Sequence, residues 1–323
     1  MRGSAAMTRK AWLAAAVVFL DEDAARRCHR DGLPRRPAVV VLTAGEPLPS
    51  AWAVAIEVGA QHLCALPAQE AELVRHLSDA ADTARGGPRL GQVIAVTAGR
   101  GGAGASVFAA ALAQVAAGAL LVDLDPCGGG IDLLLGGESA PGLRWPDLSL
   151  QAGRLSWSSL HDALPRHRGV SVLSGTRHCH EIGAGSAEAV LDAGRRGGKI
   201  VVCDVPRRIS EAATCALDSA DLVVIIATCD VRSIAATSAS IPTLRAVNPN
   251  LGLVVRGPSP GGLRAAEVAD VAGVPLLAAM RPEPMLAERL EHGGLRLRRR
   301  SPLAVAARQV LAVPQRSGQV RAA

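Results

Sequence analysis

Short, almost wholly apolar runs alternate along the chain with longer stretches whose apolar residues recur every three to four positions, and beyond residue 91 the alternation becomes regular. Runs such as IVVC and LVVIIA carry no inside-to-outside alternation. A strand needs that alternation only when one face meets water, so these runs predict a parallel sheet covered on both faces. The predicted order is strand QVIAVT (92–97), helix 104–117, strand ALLVD (119–123), an irregular stretch to about 168 and strand GVSVLS (169–174). Helix 184–194, strand KIVVCDV (199–205), helix 209–219, strand DLVVIIAT (221–228) and helix 231–246 follow. Strand LGLVV (251–255), helix 262–271, strand VPLLAA (274–279) and a last helix near 302–312 complete it. Such repetition predicts an α/β fold with a doubly wound, mostly parallel sheet.

Residues 11–85 read as a smaller α/β unit: strand AAAVVFL, a helix in DEDAARRCHRDG, strand PAVVVLT, then VGAQHLCALPAQEAELVRHLSDAADTA ending in a helix. ARGGPRLG (84–91) is a Gly/Pro break. The expected division is 1–85, a linker at 86–91, and 92–323.

Composition narrows the chemistry. Apolar residues are 49% of the 323, yet there are 2 Phe, 4 Trp and no Tyr, so the core is aliphatic and any tyrosine-dependent mechanism is excluded. Lys10 and Lys199 are the only lysines among 35 basic residues, which makes an Arg weak evidence for a selected guanidinium. The net charge of +6 is concentrated at Arg296, Arg298, Arg299 and Arg300, expected as a solvated turn, with an anionic membrane or partner surface as the alternative. Seven cysteines show no C-x-x-C pairing and read as the reduced thiols of a cytosolic protein, not a disulfide framework. No run approaches the ~18 apolar residues of a membrane span, and a soluble protein is expected.

Candidate chemistry centres on TAGRGGAGASVFAAALAQ (97–114). Gly99, Gly101, Gly102 and Gly104 allow successive backbone N–H groups to turn toward one point, and the helix they open adds its positive dipole end, which together make an anion site. The same residues satisfy G-x-G-x-x-G, and Asp123 falls about 20 residues on, so a dinucleotide-binding oxidoreductase is a competing reading. Ser106 after the last glycine, Asp125 two positions beyond Asp123, and Asp204 at the end of another strand favour magnesium-dependent phosphate chemistry.

RGGAGAS, LLVDLDPCGGGIDLLLG and IVVCDVPRRISEAATCALDSADLVVIIATCDVRSI resemble the deviant Walker A, second acidic and Walker B motifs of the MinD/ParA ATPases, in particular the CpaE-like branch, over about 92–290. PGLRWPDL, GLVVRGPSPGGLRAAEVADVAGVPLL and EHGGLRLRRRS extend the likeness to the actinobacterial septum-site-determining proteins. The N-terminal part resembles the degenerate receiver-like domain of CpaE proteins.

The resemblance implies a cytosolic regulator of cell division that binds ATP or ADP with Mg²⁺ and dimerises around the nucleotide, working with division or secretion machinery, with peripheral contact to the membrane or septum. It assigns the phosphate cradle to Gly99, Arg100, Gly101, Gly102, Ala103, Gly104, Ala105 and Ser106, the metal to Ser106, Asp123 and Asp204, and catalysis to Asp123, Asp125 and Arg100.

Departures from the family are specific. Ala105 stands where a lysine reaches the β- and γ-phosphates, and Arg100 replaces the signature lysine that reaches into the partner's phosphates. A lost charged hydrogen bond weakens binding about 10- to 100-fold, and turnover should suffer more. Arg256 stands where the family often has an Asn near the base. In the receiver-like part the strand PAVVVLT ends without a phosphoacceptor Asp, Leu66 replaces a Lys, and Asp21 and Asp23 look like a relic acidic pair.

Other candidates are weaker. His178 and His180 in HCH suggest a metal pair, but no further ligands stand near them, and a solvent-exposed loop is expected. No Ser/His/Asp nucleophile pattern is visible. Basic charge without stacking aromatics makes nonspecific DNA binding a lesser option. Leu303, Ala307, Val310 and Leu311 share one face of the last helix, which is expected to dock on the domain rather than lie on a membrane.

Overall fold

Apolar runs with no polar interruption end up in the middle of sheets, and the computed structural model places them there. It describes residues 9–36, 38–74, 76–77, 90–148, 155–259 and 261–320. Two compact units result, one of Met1–Pro88 with Leu150–Ser156, the other of Arg89–Ser149 with Trp157–Ala323.

The first unit has a three-stranded parallel sheet, β1 (Val18–Leu20), β2 (Val39–Ala44) and β3 (His62–Leu66), in that order. Its core gathers Val18, Leu20, Val39 and Val41 against Val54 and Val58 of the helix Pro49–Val58. That helix lies in a stretch without a predicted element. Pro49 opens it and Gly59, at φ 73°, closes it in the left-handed conformation that glycine adopts without penalty. The expected strand AAAVVFL is shorter than its apolar run. Arg9–Ala14 is helical, with Trp12 fully buried and its indole N–H donated to the Pro34 carbonyl at 2.8 Å, and pairing begins only at Val18. Asp21 is the N-cap of the helix Glu22–Arg30 and accepts the Ala24 N–H at 2.6 Å.

The second unit is built on an eight-stranded sheet. Its strands are β4 (Val93–Ala98), β5 (Leu120–Asp123), β6 (Arg166–His167), β7 (Val170–Leu173), β8 (Val201–Asp204), β9 (Leu222–Thr228), β10 (Leu251–Arg256) and β11 (Leu276–Met280). The order is β11-β10-β9-β4-β8-β5-β7-β6, parallel throughout except for the β6–β7 pair. Apart from β6, which lies in the stretch read as irregular, the strands match the predicted runs to within about two residues.

The helix Ala105–Val115 lies against this sheet through Phe108 to Ala113, all buried; its run of alanines brings backbone close to backbone. The last helix, Pro302–Val320, docks onto the same core by Leu303, Ala306, Ala307 and Val310, as its apolar face predicts. Arg296, Arg298, Arg299 and Arg300 are exposed. Among the described residues no helix is long and apolar enough to cross a membrane.

Candidate functional site

Three strand ends converge. β4 runs into the glycine loop, β5 ends at Asp123 and β8 at Asp204, and the strand order puts β8 between the other two. Asp204 is therefore in register with Val96 on one side and Asp123 on the other. In a dinucleotide-binding fold the ribose-binding acid sits on the strand next to the loop strand; here that neighbour carries Asp204, and Asp123 is one strand removed.

The loop is shaped by its glycines. Gly102 (φ 77°) and Gly104 (φ 100°) take left-handed conformations, and Gly99 packs so tightly on Thr237 that a Cβ would overlap its hydroxyl. The Gly99 N–H is donated to the Ile226 carbonyl at 3.0 Å and the Ala103 N–H to the Arg100 carbonyl at 3.2 Å. Those two bonds pin the loop at both shoulders. Ala103 and Ala105 are buried.

A cavity of about 570 Å³ opens over the loop, lined by Gly101, Gly102, Gly104, Ala105 and Ser106 on one side and by Asp123, Asp125 and Asp204 on the other. Ser106 and Asp204 face each other across that lining. Burial pushes the Asp204 carboxyl up to about 7; the nearby Ser106 hydroxyl opposes the rise, while the charges of Asp123 and Asp125 add to it.

Asp123 is more committed than its motif suggests. One carboxylate oxygen accepts the Asp125 N–H at 3.1 Å, and the other accepts the Ile131 N–H at 2.8 Å and the Gly175 N–H at 3.4 Å. It fixes the turn that carries Asp125. Burial raises its pKa against the pull of those three bonds. One Asp125 oxygen accepts the Cys127 N–H at 3.0 Å.

Arg100 belongs to the loop but does not line this cavity. Its guanidinium pairs with Asp230 at 3.2 Å, and Asp230 also takes the Thr228 hydroxyl at 2.5 Å and caps the helix Val231–Val247 through the Ser233 N–H at 2.9 Å. These contacts, led by the Thr228 bond, hold the Asp230 carboxyl below its usual range.

The loop after β7 supplies what sequence reasoning missed. Cys127 and Cys179 form a disulfide, which corrects the expectation of wholly reduced thiols. The two half-cystines lie 52 residues apart, so no local spacing marks them. The HCH segment thus supplies a cross-link, and among the described residues no group of three or more His, Cys, Asp or Glu is arranged to hold a metal. The His180 N–H is donated to the Pro126 carbonyl at 3.2 Å, tightening the same junction. Beside it Asp132 is buried between two guanidiniums, with Arg177 at 2.9 Å and Arg144 at 3.2 Å, and accepts the Ser174 hydroxyl at 3.1 Å. Trp145 donates its indole N–H to the Asp123 carbonyl. A scarce Trp inside PGLRWPDL was the available signal.

Residues 1–89 match a family described as the Rv3660c-like, CheY-like N-terminal domain. Over 315 residues the chain is 66% identical to two proteins of Mycobacterium tuberculosis, the uncharacterized proteins Rv3660c (strain ATCC 25618 / H37Rv) and MT3760 (strain CDC 1551 / Oshkosh). The match covers 98% of this chain and 90% of each relative. The chain belongs to the Rv3660c-like family.

This Rv3660c-like chain shares its larger fold with solved ParA and MinD proteins. A ParA family ATPase from Chlorobium tepidum TLS superposes with a TM-score of 0.59 at 17% identity, covering 67% of this chain and 96% of that one. MinD of Aquifex aeolicus gives 0.55 at 22%, covering 68% and 97%. The septum site-determining protein MinD of Pyrococcus horikoshii OT3, complexed with Mg-ADP, gives 0.54 at 19%, covering 68% and 94%. The fold class is therefore α/β, a MinD/ParA-like P-loop architecture with a CheY-like N-terminal domain.

The residues fit a magnesium nucleotide. Left-handed glycines shape a cradle at a helix start, and one hydroxyl and one carboxyl line the cavity beside it. Too few protein ligands converge to cage a cation alone. Mg²⁺ retains waters and phosphate oxygens and needs only one or two protein oxygens, and Ser106 and Asp204 are of the right kind to supply them.

Proposed function

We propose that the chain is a MinD/CpaE-like regulator of cell division, acting in septum-site determination, that binds ATP or ADP with Mg²⁺ and whose ATPase activity is weakened by the alanine at position 105. One observation carries this reading: Ser106 and Asp204 line one cavity with Asp123 and Asp125 beneath the glycine loop, with β8 inserted between the loop strand and the second acidic strand. That arrangement suits phosphate and magnesium, and suits a dinucleotide poorly because both Asp123 oxygens are taken by backbone N–H groups.

Gly101 to Ser106 cradle the phosphates, and Ser106 and Asp204 hold Mg²⁺, the latter through water. Bound there, the metal neutralises phosphate charge. Asp125 faces the cavity as the acid that positions water, while Asp123 holds its turn. Residues 1–85 act as a receiver-like module that accepts no phosphoryl group. The partners are division-machinery proteins at the cytoplasmic face of the membrane or septum, and the nucleotide-loaded form is a homodimer.

Titration of the full chain with a fluorescent ATP analogue and Mg²⁺ tests the chemistry. The expected wild-type affinity is about 10- to 100-fold below that of Ala105→Lys, with slower turnover. Equal turnover refutes the weakened-ATPase reading, and no binding by either protein refutes the nucleotide. Fluorescence microscopy tests the role: a septal focus is expected, whereas a polar focus lost on deleting secretion genes would favour a CpaE-type localisation factor.

A further inference from the structure

A second cavity, of about 740 Å³, adjoins the first across Gly104 and Val107 and is walled by the ends of β9, β10 and β11. Arg256, the last residue of β10, is half-buried at its margin and reaches back over the glycine loop. Its Nη2 donates to the Gly102 carbonyl at 3.3 Å, and its Nη1 lies 3.3 Å from where a Cβ on Gly104 would stand. The guanidinium thus covers the backbone immediately before Ala105, the position that lacks a lysine.

Charge around this cavity is unevenly balanced. Asp230 is held by Arg100 and Glu283 by Arg289 at 3.2 Å, which leaves Glu288 at the rim. Among the described residues no carboxylate pairs with Arg256. A guanidinium with one weak carbonyl contact and most of its five donors uncommitted favours an anion beside the loop, and its planar fork suits phosphate oxygens.

We propose that Arg256 supplies the cation for the phosphate chain of a bound nucleoside di- or triphosphate, in place of the lysine missing at position 105, with the nucleoside in the larger cavity. This rests on the nucleotide reading above and adds the residue that makes it workable. Arg256 reaches the phosphates from the side of the β-sheet end rather than from within the loop. Arg100, latched on Asp230, contributes nothing to affinity in the single chain.

The test is equilibrium binding to the full chain, with Mg²⁺, of ATP, adenosine and inorganic tripolyphosphate, on proteins checked for unchanged melting without ligand. Arg256→Gln should lose about 10- to 100-fold in affinity for ATP and tripolyphosphate and leave adenosine unchanged. Arg256→Lys should recover part of the loss. Ala105→Lys should restore ATP binding in the Arg256→Gln background. If wild type binds tripolyphosphate and Arg256→Gln binds it equally, the assignment is overturned while the nucleotide reading stands. An equal loss for adenosine makes Arg256 a base contact and overturns it too. If wild type binds none of the three, both readings fall together.

Discussion

Asp204 carries an acid with a pKa near 7 on the floor of the loop cavity, and that value ties stability to pH in a direction opposite to most carboxylates. An unfolded Asp titrates near about 3.9, so the folded state keeps its proton through the weakly acidic range. The contribution is fully present below the unfolded value and is lost as pH rises through 7, by up to about 4 kcal/mol. The melting temperature in EDTA should therefore fall between pH 5 and pH 8, Asp204→Asn should flatten that decline, and Mg²⁺ should stabilise wild type more at pH 8 than at pH 6. Asp132 behaves the other way. Burial pushes its carboxyl up, but Arg177, Ser174 and Arg144 together hold it below its usual range, so its contribution is present above about pH 4 and is lost as pH falls through the folded value. Asp132→Ala leaves Arg144, whose side chain is 13% exposed, without its carboxylate. A loss of about 3–5 kcal/mol is expected from urea unfolding midpoints.

At the scale of elements, what the sequence reveals depends on how far away a residue's partners lie. β4, β8 and β9 are readable because a parallel strand buried on both faces must be apolar at every position, so IVVC and LVVIIA declare themselves. The glycine loop is equally readable, because left-handed φ at Gly102 and Gly104 demands that residue type. The helix Trp157–Ala163 and the turn at Trp145 lie in a stretch with no periodicity, and long-range bonds to Asp123 and Ser174 hold Trp145 in place. Arg100 shows a different limit: its motif position suggests phosphate, while the partner that holds it, Asp230, is 130 residues away. The Cys127–Cys179 bond illustrates the same point and adds a prediction. Closing a loop between cysteines 52 apart removes unfolded-state freedom worth about 4 kcal/mol in a chain-entropy treatment. Thermal unfolding with and without dithiothreitol should show a lower midpoint for the reduced protein. Cys127→Ser should melt like reduced wild type and lose its response to the reductant, and non-reducing peptide mapping should recover the 127–179 pair.

For the whole molecule the proposed function requires nucleotide to drive assembly although Ala105 and Arg100 stand where the MinD/ParA pattern has lysines. The Arg100–Asp230 pair has its side chains 39% and 34% exposed, and an ion pair in that setting contributes about 0–1 kcal/mol. It is a latch that opens cheaply. Arg100 can leave Asp230 for the phosphates of a second chain at little cost in monomer stability, whereas Arg256, by the assignment above, serves the phosphates of its own chain. Affinity for nucleotide and self-association are then separable by mutation. Asp230→Asn removes the charge that holds Arg100 and keeps an N-cap for the helix Val231–Val247, because Asn caps as well as Asp. Sedimentation velocity with a non-hydrolysable ATP analogue and Mg²⁺ should show wild type self-associating. Each chain of the dimer opens one latch, so Asp230→Asn should dimerise up to about 30-fold more tightly, the equivalent of about 2 kcal/mol, and Arg100→Gln should remain monomeric while still binding the analogue. Should Arg100→Gln dimerise as wild type does, Arg100 plays no part in assembly, and the latch reduces to a surface ion pair at the start of one helix.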